Sequence, residues 1–173
     1  MDNNNKLYIG WDEYKSLVIN LAKKIESSKI EFDQILCLAR GGLPVGDALS
    51  RIFKKPLAIL FTSSYKEAKR GKLLIDNAIA KQNQVINNKI LLVDDLVDSG
   101  ETLKQVLDYL KDNYTQIEKI HTATIWQKAH SIYHPDFCVN TIPNECWLEQ
   151  PFEFYDKIDL KDPNTHINRV NHF

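Results

Sequence analysis

Three carboxylates stand close together after an apolar run in the middle of the chain. The run 90–93 has the length and the aliphatic content of a buried parallel strand. Asp94 and Asp95 follow it directly, and Asp98 comes three residues later. Carboxylates in this arrangement can accept hydrogen bonds from sugar hydroxyls or can hold Mg²⁺. Because open α/β sheets bind ligands at the carboxyl ends of their strands, the sequence predicts a ligand site here.

Small and hydroxyl residues after the third carboxylate predict a turn that opens a helix. Ser99, Gly100 and Glu101 lead into Thr102, and apolar residues then recur at helical spacing. These apolar residues are Leu103, Val106, Leu107 and Leu110. Free backbone N–H groups at the helix start, two hydroxyls and the close approach that a glycine permits together suit a phosphate monoester. A phosphorylated ribose would satisfy both the acids and the turn.

The segment 91–102, LLVDDLVDSGET, closely resembles the ribose-phosphate-binding signature of type I phosphoribosyltransferases. The resemblance implies that Asp94 and Asp95 bind the ribose hydroxyls and a Mg²⁺-linked water, and that the turn binds the sugar phosphate. Two positions differ from the xanthine-guanine members, since Ser99 replaces Thr and Glu101 replaces a small residue. An ordinary strand and capped helix is the alternative, but a cap accounts for Ser99 and not for three acids.

A second strand, turn and helix precedes this segment. Residues 33–39 form an apolar run typical of a buried strand, and a helical apolar pattern follows the turn. In the turn, Arg40 supplies a planar charged donor, while Gly41 and Gly42 let backbone amides close on an anion such as pyrophosphate. A simple turn is the alternative. The sequence also resembles the pyrophosphate-binding loop of the same family, in which the pair before the glycines, here Ala39 and Arg40, often forms a cis peptide.

Two features of the carboxyl-terminal half predict which base is bound. Lys128 follows the strand predicted at 117–126, where its ammonium could donate to a carbonyl oxygen. Trp147 lies among polar residues and offers a stacking surface for a purine. The string 142–152 is similar to the base-binding segment of bacterial xanthine-guanine phosphoribosyltransferases. By that resemblance Trp147 stacks on the purine, Leu148 offers backbone groups near position 2, and Lys128 binds the 6-oxo group. A surface lysine and a core tryptophan are the alternatives.

The segment 62–88 is polar, and a helical pattern returns only at 73–80. Its clustered basic residues are Lys66, Lys69, Arg70 and Lys72. In the family that the chain resembles, this region is a flexible loop over the reaction centre, and the Ser-Ser-Tyr sequence at 63–65 matches its start. Which basic residue closes on the substrate is open, and a solvated basic loop is the alternative.

The length of the chain predicts a single domain. The chain has 173 residues, and we expect a single domain with a core at about 30–130, a base-binding hood at about 131–155 and two tails. The formal net charge of −1 gives no general attraction to nucleic acid or to membranes. No signal peptide or membrane span is recognisable, so we expect a cytoplasmic protein. Cysteines without disulfide or zinc spacing predict packed thiols: Cys37, Cys138 and Cys146.

Strands that alternate with helices predict an α/β fold, with an open, mostly parallel twisted sheet flanked by helices and a small hood from the C-terminal region. The resemblance implies purine salvage, in which a 6-oxopurine (xanthine, guanine or hypoxanthine) and 5-phosphoribosyl 1-pyrophosphate give nucleoside 5′-monophosphate and pyrophosphate. It also implies Mg²⁺ and a homodimer or homotetramer. Asp98 is the candidate general base for the proton at purine N7, and Arg40 would stabilise the leaving pyrophosphate.

Two other functions remain open from the sequence. A nucleotide-sensing regulator of the same fold would bind ligands without turnover, and it should carry a basic face. A transferase for another base would lack the combination of Lys128 and Trp147 if it used a pyrimidine, and would disfavour a lysine if it used adenine. The C-terminal tail, 153–173, has no readable function, and we expect an arm or a disordered end.

Overall fold

The computed structural model describes residues 5–64, 73–75, 79–81 and 86–161. Its elements, in chain order, are β1 (Lys6–Tyr8), α1 (Trp11–Ser27), β2 (Gln34–Ala39), α2 (Gly42–Phe53), β3 (Leu57–Ser64), β4 (Leu73–Ile75), β5 (Ala80–Lys81), β6 (Lys89–Val97), α3 (Glu101–Asn113), β7 (Lys119–Lys128), β8 (Phe137–Ile142), β9 (Trp147–Glu149) and a 3₁₀ helix (Pro151–Lys157). Within these ranges, no helix has the length and apolar character needed to cross a membrane.

Seven strands of the described ranges form one sheet with the order β4-β3-β2-β6-β7-β8, and β5 also pairs with β3. The pairings from β3 through to β8 are parallel, whereas β4 and β5 run antiparallel to β3. The central strands are aliphatic, as expected for strands covered on both faces. The open, mostly parallel sheet predicted from the sequence is therefore confirmed.

Alternate residues of the central strands bury opposite faces of the sheet. Ile35 and Cys37 of β2 belong to the core that contains the inner faces of α1 and α2. Leu36 and Leu38 belong to the core that contains the inner face of α3. Each fully buried aliphatic side chain stabilises the fold by roughly 1.5–3 kcal/mol.

The three cysteines are free, and burial raises the pKa of the Cys37 thiol to about 12.

In the structure we call hood the two-stranded sheet of β1 and β9, the loop 143–146 before β9 and the 3₁₀ helix, so it is built from both ends of the described chain. The short strand β1 pairs in parallel with β9, with Leu7 opposite Leu148. The 3₁₀ helix follows β9 directly, and its Phe152 ring packs edge-on against Tyr14 of α1 at a centroid distance of 5.9 Å. The expectation of an arm from Glu153 onwards therefore needs correction, because the chain stays folded on the hood to Lys157. Residues 162–173 lie outside the described part of the chain.

Two further sequence-based expectations differ from the structure. The helical pattern at 73–80 is wrong, because Leu73–Ile75 and Ala80–Lys81 are strands that pair with the edge strand β3. An edge strand offers unpaired backbone groups, and these override a weak local preference for helix. The predicted basic cluster at 66–72 and Tyr65 lie outside the described residues, while residues 63 and 64 end β3.

Candidate active site

The last four residues of β6 set the geometry of the site. The pairing of β6 with β2 ends at Val93, whereas its pairing with β7 continues to Val97. The strand is thus longer than the predicted run, because β7 still supplies hydrogen-bond partners beyond Val93. Asp94 and Asp95 therefore lie on a strand whose β2 side no longer carries a strand partner among the described residues.

Asp94 and Asp95 are partly buried and interact directly. The backbone N–H of Asp95 donates to Asp94 Oδ1 at 3.0 Å. Burial and the neighbouring charge of Asp95 raise the pKa of the Asp94 carboxyl well above its ordinary value. Ionising both groups is therefore unfavourable unless a cation or hydroxyl donors bind them. This is the electrostatic property expected of a site for Mg²⁺ and sugar hydroxyls.

The loop after β2 faces these carboxylates. The Ala39–Arg40 peptide is cis, as the family resemblance implied. A Cβ atom on Gly41 would lie 2.4 Å from Asp95 Oδ1, and one on Gly42 would lie 2.8 Å from the carbonyl oxygen of Val93. Only glycine lets the backbone come this close to the acid pair. The structure thus brings together two motifs that are more than fifty residues apart in the sequence.

The turn after β6 forms the amino terminus of α3. Gly100 adopts φ +87°, and a Cβ atom there would lie 2.7 Å from Ser131 Oγ, so a larger residue would be both strained and crowded. The N–H of Glu101 donates to Ser99 Oγ at 3.3 Å, and α3 begins at that residue. Thr102 lies in the first turn of α3. The arrangement presents backbone donors and two hydroxyls, which suit a phosphate.

Asp98 lies on the same turn, with its side chain 66% exposed. The imidazole of His130 lies beside it, with Nε2 3.3 Å from Asp98 Oδ1. The sequence analysis missed His130. Its place two residues after the end of β7, at the ligand edge of the sheet, was the signal that could have identified it.

Lys128 is buried, at 6% exposure, and its ammonium points into the hood. Its Nζ donates to the carbonyl oxygens of Asn144 at 3.1 Å and Pro143 at 3.4 Å, and also to that of Cys146. The lysine thus anchors the loop that leads into Trp147. A purine oxo group would have to replace one of these carbonyl oxygens as an acceptor, or share a donor with it.

Trp147 and Leu148 occupy contrasting positions on β9. Trp147 is 64% exposed, so it is not a core aromatic, and its face is accessible. The side chain of Leu148 is buried. The N–H of Trp147 donates to Asn5 and the carbonyl of Glu149 accepts from Ile9, which directs the intervening peptide groups of Leu148 away from β1. No other strand of the described ranges pairs with that side of β9.

Three further residues around the acid pair were not identified from the sequence. Gln150 is buried, and its Nε2 donates to Asp95 Oδ2, which links the hood to the site. Burial and the charges of Asp95 and Asp94 raise the pKa of the buried Tyr14 hydroxyl. Burial and the charge of Asp95 also raise the pKa of Glu153. These partners converge from distant segments, and no local pattern marks them.

The donor set of the site fits a hard divalent cation. In the part of the chain that the structure describes, no cluster of three or more His, Cys, Asp or Glu side chains could hold a metal ion by itself. Asp94 and Asp95 provide carboxylate oxygens, and a cation would offset the burial and the repulsion that together raise the Asp94 pKa. Mg²⁺ is commonly held by one or two carboxylates together with substrate phosphates and water, which these residues match.

The family described as the phosphoribosyl transferase domain matches residues 10–158. The chain belongs to this family. The predicted identity as a type I phosphoribosyltransferase enzyme is thereby confirmed. The match spans both motif loops, the acid pair, β9 and the 3₁₀ helix.

Solved structures of other phosphoribosyltransferases share the fold. A purine phosphoribosyltransferase from Pyrococcus horikoshii Ot3 is 29% identical, with a TM-score of 0.72 over 86% of this chain and 93% of that chain. The xanthine-guanine-hypoxanthine phosphoribosyltransferase of Helicobacter pylori is 24% identical, with a TM-score of 0.74 over 93% of this chain and 99% of that chain. The second likeness concerns the fold alone.

The raised Asp94 pKa predicts a pH-dependent gain in stability for Asp94→Asn in this phosphoribosyltransferase. A raised folded-state pKa means that the wild type is favoured while Asp94 is protonated and loses stability as the pH rises through that pKa. Asparagine keeps the neutral form, so the variant should be more stable at neutral pH. The difference should vanish in acid.

Urea denaturation in the presence of a chelator, across a pH series, measures this effect. Asp108→Asn, at an exposed position on α3, is the matched control and should leave the free energy of unfolding nearly unchanged. Equal stability of wild type and Asp94→Asn at every pH would contradict the electrostatic description of the acid pair.

Proposed function

We propose that this phosphoribosyltransferase salvages purines, transferring the phosphoribosyl group of 5-phosphoribosyl 1-pyrophosphate to a 6-oxopurine. One observation carries the proposal. The carboxylate of Asp95 lies against Gly41, where an added Cβ atom would be only 2.4 Å from Oδ1. The same carboxylate accepts a hydrogen bond from Gln150 of the hood. Segments suited to pyrophosphate, ribose and base therefore converge on one carboxylate. Assembly into a homodimer or homotetramer stays a prediction.

The acid pair and the glycine loop would bind the two ends of the reacting bond. Asp94 and Asp95 would accept hydrogen bonds from the ribose hydroxyls, and the turn from Ser99 to Thr102 would bind the 5′-phosphate. Asp94 and Asp95 would also hold Mg²⁺, which supplies charge compensation for pyrophosphate when bound. Amides of the glycine loop and the exposed Arg40 guanidinium would stabilise the same leaving group.

The hood would receive the purine. Trp147 presents an exposed indole for stacking, and the peptide groups of Leu148 point away from β1 and can bind the edge of the base. Lys128 lies directly behind this segment and supports it through three carbonyl oxygens. The similarity to a purine enzyme from Pyrococcus horikoshii Ot3 supports a purine over a pyrimidine.

Transfer requires one bond to form, one to break and one proton to move. N9 of the purine bonds to C1′ of the ribose, and the C1′–O bond breaks with its electron pair leaving on pyrophosphate. The proton on N7 passes to Asp98, which acts as general base from the exposed turn. The transition state resembles a ribosyl oxocarbenium ion, so catalysis consists mainly of positioning and charge compensation.

Product formation from labelled 5-phosphoribosyl 1-pyrophosphate and Mg²⁺ tests the proposal directly. A panel of guanine, hypoxanthine, xanthine, adenine, uracil and orotate should give nucleoside 5′-monophosphate with one or more of the three 6-oxopurines. Asp98→Asn should lower kcat by about 10² to 10⁴ while the KM for the phosphoribosyl donor changes little. Asp108→Asn is the control. Product with a pyrimidine or adenine as the preferred base would contradict the assignment.

Substitutions at Trp147 and Lys128 should affect base choice differently. Trp147→Ala removes a stacking contact worth about 1 to 3 kcal/mol for any purine, so kcat/KM should fall by similar factors for all of them. Lys128→Ala should lower the preference for guanine over adenine, because only the oxo group accepts its hydrogen bond. The kcat/KM values for the two bases measure both effects.

Two controls match these substitutions. Tyr155→Ala removes another exposed aromatic, and Lys24→Ala removes another lysine that donates to a main-chain carbonyl, at Cys138 of β8. An unchanged ratio of guanine to adenine in Lys128→Ala would mean that Lys128 supports the hood without selecting the base.

A further inference from the structure

The proposed general base lies where its orientation is poorly fixed by its own turn. Asp98 is exposed between Val97, the last residue of β6, and Ser99. A carboxylate on an exposed turn can occupy several rotamers, and fixing one of them costs conformational entropy. Proton transfer needs the oxygen within hydrogen-bond reach of the proton in one defined geometry. A second group that fixes the carboxylate would therefore contribute directly to turnover.

His130 is placed to fix that carboxylate. Its Nε2 lies 3.3 Å from Asp98 Oδ1, and its own backbone N–H donates to Asn144 Oδ1 at 2.9 Å. Asn144 belongs to the loop whose carbonyl oxygens accept from Lys128. The backbone of His130 is thus held by Asn144, while its imidazole reaches the acid turn.

The residues around His130 contact both the end of β8 and the turn that carries Asp98. We define the connecting segment as residues 129–133. The N–H of Ala129 donates to Ile142 at 3.0 Å, and the N–H of Ile132 donates to the carbonyl oxygen of Ser99 at 2.9 Å. Ser131 and Tyr133 lie so close to Gly100 that a Cβ atom there would clash with both. The connecting segment is therefore hydrogen-bonded both to the acid turn and to the end of β8, from which the chain continues into the hood.

We propose that His130 is a positioning residue for Asp98, holding its carboxylate in the orientation that accepts the N7 proton and making that orientation depend on the hood. The inference rests on the proposed role of Asp98 as general base. It requires a proton on Nε2, which both the imidazolium ion and one neutral tautomer carry. The hood that binds the purine would then also hold the proton-accepting oxygen of Asp98 in place at the moment of transfer.

A double-mutant cycle between His130→Ala and Asp98→Asn tests the proposal. His130→Ala should lower kcat about five- to tenfold while the KM for the phosphoribosyl donor changes less than about twofold, since an ordered charge-assisted contact is lost without loss of the phosphate site. In the Asp98→Asn background the same substitution should have no further effect on kcat. His130→Gln, whose amide N–H can reach the position of Nε2, should restore most of the activity.

Two further variants make the result specific. His134→Ala removes an exposed histidine four residues away and should leave kcat unchanged. Asn144→Ala removes the acceptor that holds the His130 backbone and leaves both side chains of the pair in place. It should lower kcat in the same direction as His130→Ala, and it should also lose its effect in the Asp98→Asn background. It provides the test if His130→Ala does not fold.

The outcomes separate this inference from the proposed function. Equal losses from His130→Ala in the wild-type and Asp98→Asn backgrounds, or a loss confined to KM, would overturn the positioning role. Normal turnover in His130→Ala together with a strong loss in Asp98→Asn would overturn it while leaving the general base intact. Near-normal turnover in Asp98→Asn would instead overturn the general base itself, and the inference with it.

Discussion

The enforced proximity of two like charges at the end of β6 is the constraint on which the site depends. Strand pairing with β7 continues past Val93 and fixes Asp94 and Asp95 side by side in a partly buried position. Burial and the charge of Asp95 raise the pKa of Asp94, so ionising both carboxyls is unfavourable in the protein alone. Glycine at positions 41 and 42 lets the loop after β2, which we propose binds pyrophosphate, approach the same pair. A substrate with hydroxyls, phosphates and an associated cation supplies what the carboxylates lack.

The hood is joined to this pair by specific polar contacts as well as by apolar packing. Gln150 donates to Asp95, Lys128 donates to the loop before Trp147, and residues 129–133 connect the hood to the turn of Asp98. Because each contact joins segments that we propose to bind different parts of the substrate, we expect occupancy of one part to affect the geometry of the others. This organisation suits a reaction whose catalysis consists mainly of alignment.

The main parallel strands and the two motif loops could be predicted because local apolar runs and glycine-containing turns mark them. The end of β6 could not, since the pairing with β7 that extends it is a long-range property. The strands at 73–75 and 80–81 form against an exposed edge, and the local pattern there favoured a helix. His130 and Gln150 could not be predicted either, because each is a single polar residue that reaches the site from a distant segment. The inward direction of the Lys128 ammonium likewise depends on the folded hood.

Calorimetric titration of 5-phosphoribosyl 1-pyrophosphate over a range of Mg²⁺ concentrations tests the role of the acid pair most directly. The affinity of the wild type should rise with Mg²⁺, because the cation neutralises both the carboxylates and the pyrophosphate. Asp95→Asn should bind more weakly and should lose most of this Mg²⁺ dependence, while Asp108→Asn should behave as the wild type. An affinity that is independent of Mg²⁺ and unchanged by Asp95→Asn would contradict the account.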